Sequence, residues 1–299
     1  MKNAIIVFFV LTARIAAASS YDLDPGSFRM LVLESEYIIV GYVMEVNLLE
    51  EEDFRIAPTG ILKIKIVEAL QGTIKDEIID VPFEPDLTAS TPEYKTGDLV
   101  LGFFKKDSVG NYYSRESTGG ARTLSVADVA LYKTRIKEMQ QIATITDVHK
   151  KFMETIEWLV KGMEQEATRF ETSFELMDFN LHYSRPELMF GKLLSEKQKL
   201  RLKKVLLETP ASYPCDFTIV DLLYADYKTE IQSYLLQRLK NLQGYELWMA
   251  GEYMNLLMDG KNSPEMKKIV ADFSEIKLRR SKEKELKMMV SEFIVLAER

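Results

Sequence analysis

Cysteine is almost missing from this chain of 299 residues: Cys215 stands alone. An intramolecular disulfide and any multi-cysteine metal site are therefore excluded. Histidine is nearly as scarce, with only His149 and His182. No HExxH and no paired-histidine spacing occurs, so a zinc hydrolase of the common kinds is not expected. No G-x-S-x-G elbow is present to seat a serine nucleophile, and no G-x-G-x-x-G or Walker sequence to cradle a nucleotide. The sequence accordingly points to no cofactor, no metal and no catalytic residue. An excess of positive charge is missing too. The 39 Lys and Arg against 46 Asp and Glu give a formal net charge of −7. A dedicated nucleic-acid binder would carry a basic face, so no nucleic-acid partner is expected. The N-x-Ser/Thr glycosylation pattern is also absent, because Asn262-Ser263 is followed by Pro264.

What is present begins with a targeting signal. Lys2 supplies a positive start, Ala4 to Leu11 forms a short apolar run, and Ala16, Ala17 and Ala18 give the small residues that a signal peptidase needs. Cleavage is expected after Ala18, with Ser19 or Ser20 as a competing site. No later stretch approaches the about 18 consecutive apolar residues of a spanning helix, so no transmembrane segment is expected in the mature chain. A secreted chain with one cysteine must be held together by core burial. That, with the missing glycosylation pattern, suits a bacterial secreted or periplasmic protein. An apolar fraction of 46% supplies enough side chains for two cores.

Residues 19–123 read as a β module. Glu36 to Asn47 is rich in Ile, Val and Tyr, with Gly41 inside it. Leu62, Ile64 and Ile66 alternate with Lys63 and Lys65, the period-two pattern of a half-buried strand. Glu77 to Phe83 is a third strand, which Pro82 confines to an edge or an end. Leu99 to Lys105 is a fourth, with Gly102 in its middle. Lys106 to Gly110 is a hairpin loop, and Asn111 to Glu116 a fifth strand. Mid-strand glycines suit the bends of a small coiled barrel.

The phrase Ile66-Val67-Glu68-Ala69-Leu70-Gln71-Gly72 is followed by Ile79 to Phe83, then by Tyr94, Gly97, Leu101 and Phe103, then by Gly119-Gly120. This series resembles the bacterial relatives of the netrin-like and metalloproteinase-inhibitor-like OB-fold domains. The resemblance covers about a third of the chain and implies a five-stranded OB-like β-barrel. The animal inhibitors of that kind use a disulfide-bonded N-terminal cysteine, which the region Ser19 to Asp24 lacks. Metalloproteinase inhibition is therefore not implied.

Residues 124–299 read as an all-α helical domain, a bundle or HEAT-like pairs. Apolar residues recur at helical spacing from Val126 to Ile145 and from Phe152 to Met163, the second run preceded by Asp147 as N-cap. Ser195-Glu196-Lys197-Gln198 fits a capping box. Ser263-Pro264-Glu265 starts a helix expected to continue to 297. The expected class is thus α+β. The barrel-then-helices layout resembles that of bacterial secreted proteins.

Several residues are candidates for chemistry. OB barrels bind ligands across their strand faces, which makes Tyr112, Tyr113 and Arg115 a candidate ligand face. Equally, one tyrosine packs inside and the other faces solvent. Arg279, Arg280 and Lys282 lie in a basic cluster, as do Lys197, Lys199, Arg201, Lys203 and Lys204. Either cluster could contact a polyanion, or form the wet face of an amphipathic helix. Cys215 precedes a helix, where a thiol can be activated or simply packed. Glu50 to Asp53 could hold a hard cation or lie solvated. The reading with most support is a secreted or periplasmic non-enzymatic binding protein for a protein or polysaccharide partner. The alternative is a hydrolase or hydrolase inhibitor with its site between the barrel and the helical domain.

Charge divides unevenly along the chain. Residues 19–149 carry 13 basic and 22 acidic side chains, whereas residues 150–299 carry 24 of each. The acidity belongs to the β module and the helix that follows it.

Overall fold

The computed structural model describes residues 28–48, 60–83, 94–114, 121–183, 193–209, 215–242, 244–261, 263–277 and 283–298. The expected signal at 1–18 and the acidic run at 50–53 lie outside them. The class is α+β: an antiparallel sheet near the N-terminus followed by helices. The chain forms two compact units that divide between Glu175 and Leu176.

In the first unit a short helix α1 (Phe28–Glu34) precedes strands β1 (Tyr37–Leu48), β2 (Gly60–Gln71), β3 (Ile78–Phe83), β4 (Leu99–Lys106), β5 (Tyr112–Tyr113) and β6 (Ala121–Thr123). Their hydrogen-bonded order is β3-β2-β1-β4-β5, with β6 also paired to β4. Among the described residues no ladder joins β3 to β5, so these strands form an open sheet and not the closed barrel expected from the sequence. The reason is local. Of the expected strand Asn111 to Glu116, the described residues 111–114 contribute Tyr112 and Tyr113, which pair with Lys106 and Lys105 and make no ladder with β3.

Alternation sorts the strand residues onto two faces. The inner face buries Ile39, Val43, Leu62, Ile64, Ile79, Val81, Val100, Phe104 and Tyr112 as one apolar cluster. Gly41 is required where β1 bends. Its position coincides with a register shift, and a Cβ there would lie 2.6 Å from the Lys65 carbonyl oxygen. Gly102 makes room for the Phe104 ring in the same cluster.

The outer face is half covered. Ile38 pairs with Phe103 and Val40 with Leu101, and all four are buried. Phe28 of α1 meets Phe103 edge-on at 5.9 Å, Tyr132 edge-on at 5.5 Å, and stacks on Trp158 at 5.7 Å. Tyr132 belongs to α2 (Val129–Ala143) and Trp158 to α3 (Val148–Glu164). Asp147 caps α3 by accepting from the Lys150 N–H at 2.7 Å, as its sequence position predicts.

Charged groups are buried beside this aromatic cluster. Arg122 of β6 pairs with Glu171 of α4 (Glu166–Tyr183), and its guanidinium lies over the Phe28 and Phe103 rings. The Tyr132 hydroxyl donates to the Ala167 carbonyl at 2.9 Å. Arg135 lies 3.8 Å from the Trp158 ring centroid and donates to the Trp158 carbonyl at 2.6 Å. Glu175 accepts the Arg29 backbone N–H at 2.7 Å. Burial raises the Glu171 carboxyl above its ordinary pKa despite Arg122, and pushes the Arg135 guanidinium down to about 10.

The second unit is helical: α5 (Glu196–Glu208), α6 (Cys215–Leu223), α7 (Lys228–Asn241), a 3-10 turn (Gly244–Met249), α8 (Ala250–Leu257), α9 (Pro264–Lys277) and α10 (Glu283–Ala297). Helix α9 packs on α8 and α10, and α10 on α7. Leu235, Leu239, Tyr253, Met254, Phe273 and Phe293 are among the buried residues of these helices. The single helix expected from 264 to 297 is two helices, with residues 278–282 outside the described set. Ser195 accepts from the Gln198 N–H and Gln198 reciprocates to the Ser195 N–H, completing the expected capping box.

Candidate functional site

The outer sheet face is left open where the helices end. Strand register places its side chains in three rows across β1, β2 and β3: Tyr42, Lys65 and Ile78; Glu45, Lys63 and Asp80; Asn47, Ile61 and Pro82. Met44 lies at a register shift, so it is exposed beside Glu45. Within this face Lys63 donates to Glu45 at 2.9 Å and Lys65 lies 3.4 Å from Glu77.

The loop between β4 and β5 borders one end of this face, and its sequence dictates its shape. The Asp107 carboxylate accepts from the N–H groups of Val109 (2.8 Å) and Asn111 (2.9 Å) and from the Asn111 side chain (3.1 Å). Gly110 supplies the positive φ of 98°. Those donors, chiefly Asn111, hold the Asp107 carboxyl below its usual range, so it stays ionised.

Beyond the loop, strand alternation sends the two tyrosines in opposite directions. Tyr112 is 5% exposed and points into the apolar cluster. Its ring meets Tyr37 edge-on at 5.5 Å, and its hydroxyl donates to Asp76 at 3.2 Å. The Lys106 ammonium sits 4.3 Å from its centroid. Burial raises the Tyr112 pKa. Tyr113 is 38% exposed. With Ile61, Asp80 and Pro82 on one side and Asp107 and Asn111 on the other, the tyrosines line a shallow cleft of about 480 Å3.

The cleft's walls are apolar (Ile61, Pro82, Tyr113) and its charges are carboxylates. The Asp107 carboxylate is committed to its own loop. Asp80 stands exposed in the row with Lys63, whose ammonium is held by Glu45.

Of the residues singled out from the sequence, Tyr112 and Tyr113 come to this cleft, Tyr112 as its floor and Tyr113 as its wall. Arg115, Arg279, Arg280 and Lys282 lie outside the described residues. Three members of the other basic cluster pair within their own unit. Lys199 pairs with Asp226 at 2.7 Å and Glu196 at 3.3 Å, Lys203 lies 3.5 Å from Glu230 and over the Tyr227 ring, and Lys204 reaches Glu208. Cys215 is buried at the first turn of α6. His149 is exposed at the start of α3. Among the described residues no three His, Cys, Asp or Glu side chains converge as metal ligands, and no helix is long and apolar enough to cross a membrane.

Ile61, Asp80, Pro82, Asp107 and Asn111 were not singled out by sequence reasoning as ligand residues. Lys106 to Gly110 was legible as a hairpin loop, of which Lys106 is the last strand residue, and Pro82 as an edge marker. The register that brings Ile61 opposite Pro82 was not. Compared with known proteins, the chain matches no family model and no curated relative.

Proposed function

We propose that this protein is a secreted or periplasmic binding protein, not an enzyme, and that its first unit is built on an OB-type barrel. The supporting feature for the barrel is strand order. The path β3-β2-β1-β4-β5 is that of a five-stranded OB barrel opened between β3 and β5. The resemblance of residues 66–120 to netrin-like domains agrees with this order.

The observation that carries the binding reading is the cleft at that opening. It combines an exposed aromatic wall, apolar neighbours and an exposed carboxylate on a rigid sheet, the composition of a recognition site. The partner is reached outside the cytoplasm, as the N-terminal signal implies.

The test is affinity capture. Immobilised full-length protein retains a partner from a bacterial envelope extract, and Tyr113→Ala abolishes retention without lowering the melting temperature. Equal retention by wild type and variant contradicts the assignment of the cleft.

A further inference from the structure

Resting on that binding reading, we propose that the cleft takes a cationic side chain, arginine or lysine, from a basic peptide. The alkyl stem lies against Ile61 and Pro82, and the charged head sits between the Asp80 carboxylate and the Tyr113 ring.

The cleft's own chemistry selects this occupant. A sugar ring demands several directed hydrogen bonds, and the polar groups here are mostly spent: the Asp107 carboxylate is taken up by Val109 and Asn111. Asp80 is left as the exposed acceptor between the apolar Ile61 and Pro82 and the Lys63 side chain across the strand pair, whose ammonium is drawn to Glu45 at 2.9 Å. Arginine and lysine match that pairing of apolar wall and single carboxylate, because both carry an apolar stem and a charged head. An exposed tyrosine ring adds attraction for a cation over its face. Asp107 remains ionised and adds negative potential at the rim. The sequence around the cleft is also the acidic part of the chain, with 22 acidic against 13 basic side chains over residues 19–149. Such a field draws cations toward the site and repels acidic polymers.

The experiment follows fluorescence anisotropy of a labelled alternating Gly-Arg octapeptide against the full chain. An alternating Gly-Glu octapeptide and a neutral glucan hexasaccharide serve as competitors. Variants Asp80→Asn, Tyr113→Ala, Tyr113→Phe and Glu275→Gln are measured alongside, with melting temperatures to confirm folding. Glu275 is exposed on α9 and makes the same charge change away from the cleft. Saturable binding is expected, weakened about tenfold or more by Asp80→Asn, as loss of a hydrogen bond to a charged group implies, and about threefold or more by Tyr113→Ala, as loss of the ring under the cation implies. Tyr113→Phe and Glu275→Gln stay close to wild type, and neither competitor displaces the peptide. Equal weakening by Asp80→Asn and Glu275→Gln overturns the proposal in favour of diffuse electrostatics. Displacement by the hexasaccharide, or failure of the Gly-Arg peptide to bind, also overturns it. In those two cases the binding-protein reading stands or falls separately, on whether Tyr113→Ala abolishes envelope capture.

Discussion

Glu171 and Arg122 face each other in a nearly enclosed space between the sheet and its helices. Burial raises the carboxyl pKa even with the guanidinium alongside, so desolvation outweighs the pairing. The pair is costly to break and replaceable as a whole. Glu171→Ala removes the carboxylate facing Arg122 beside the Phe28 and Phe103 rings and is expected to cost about 3–5 kcal/mol in urea unfolding. The double change Arg122→Leu with Glu171→Leu is expected to cost less than either single change. A cost of the double change equal to the sum of the two contradicts the coupling. Asp107 titrates in the opposite sense. Its folded pKa is depressed below the ordinary 3.8, so its contribution to loop order is full above that value and lost as pH falls through the depressed one. The Asn111 amide resonance should therefore titrate with a midpoint below 3.8; a midpoint above it contradicts the hydrogen bonding described here.

Among the elements, the helix caps and strand bends are the places where sequence was most directly readable. Asp147 and the Ser195–Gln198 box were legible because capping is a local exchange between one side chain and the N–H two or three residues on. Ser195→Ala is expected to lower the stability of the chain by about 1 kcal/mol in chemical denaturation. Gly102 stood out as a glycine inside a strand pattern; the strand pairs through it without a register shift, and its physical cause is the Phe104 ring occupying the space a Cβ would take. Gly102→Val should destabilise by about 1–3 kcal/mol or more through overpacking, read as a drop in melting temperature. Other features were hidden because they are set by distant partners. Helix α1 is only seven residues long, and Phe28 is fixed by Phe103, Tyr132 and Trp158, all far away in sequence. The buried ionic cluster was invisible for the same reason, since Arg122, Glu171 and Glu175 look like ordinary surface charges until the helices return to the sheet. The end of β5 at Tyr113 was also hidden, because the run Asn111 to Glu116 has the composition of a longer strand.

At the scale of the whole molecule, charge and exposure divide the chain. The net negative charge lies in the β part because basic residues are fewer there (13 against 22 acidic over residues 19–149), and the helical unit pairs several of its lysines internally, Lys199, Lys203 and Lys204 among them. Half of the site was legible: Tyr112 and Tyr113 were visible as aromatic residues on a late strand, but which of them faced outward, and which residues of β2 and β3 would lie across from them, depended on register. The central claim is that the molecule recognises its partner at the cleft lined by Ile61, Asp80, Pro82 and Tyr113. The most direct measurement is an amide chemical-shift titration of the isotope-labelled full chain with the Gly-Arg octapeptide. Saturable shifts concentrated at Ile61, Asp80, Asn111 and Tyr113, with residues 215–242 unmoved, are the predicted result. Shifts spread evenly over the acidic surface, or centred on the helices of the second unit, would contradict it.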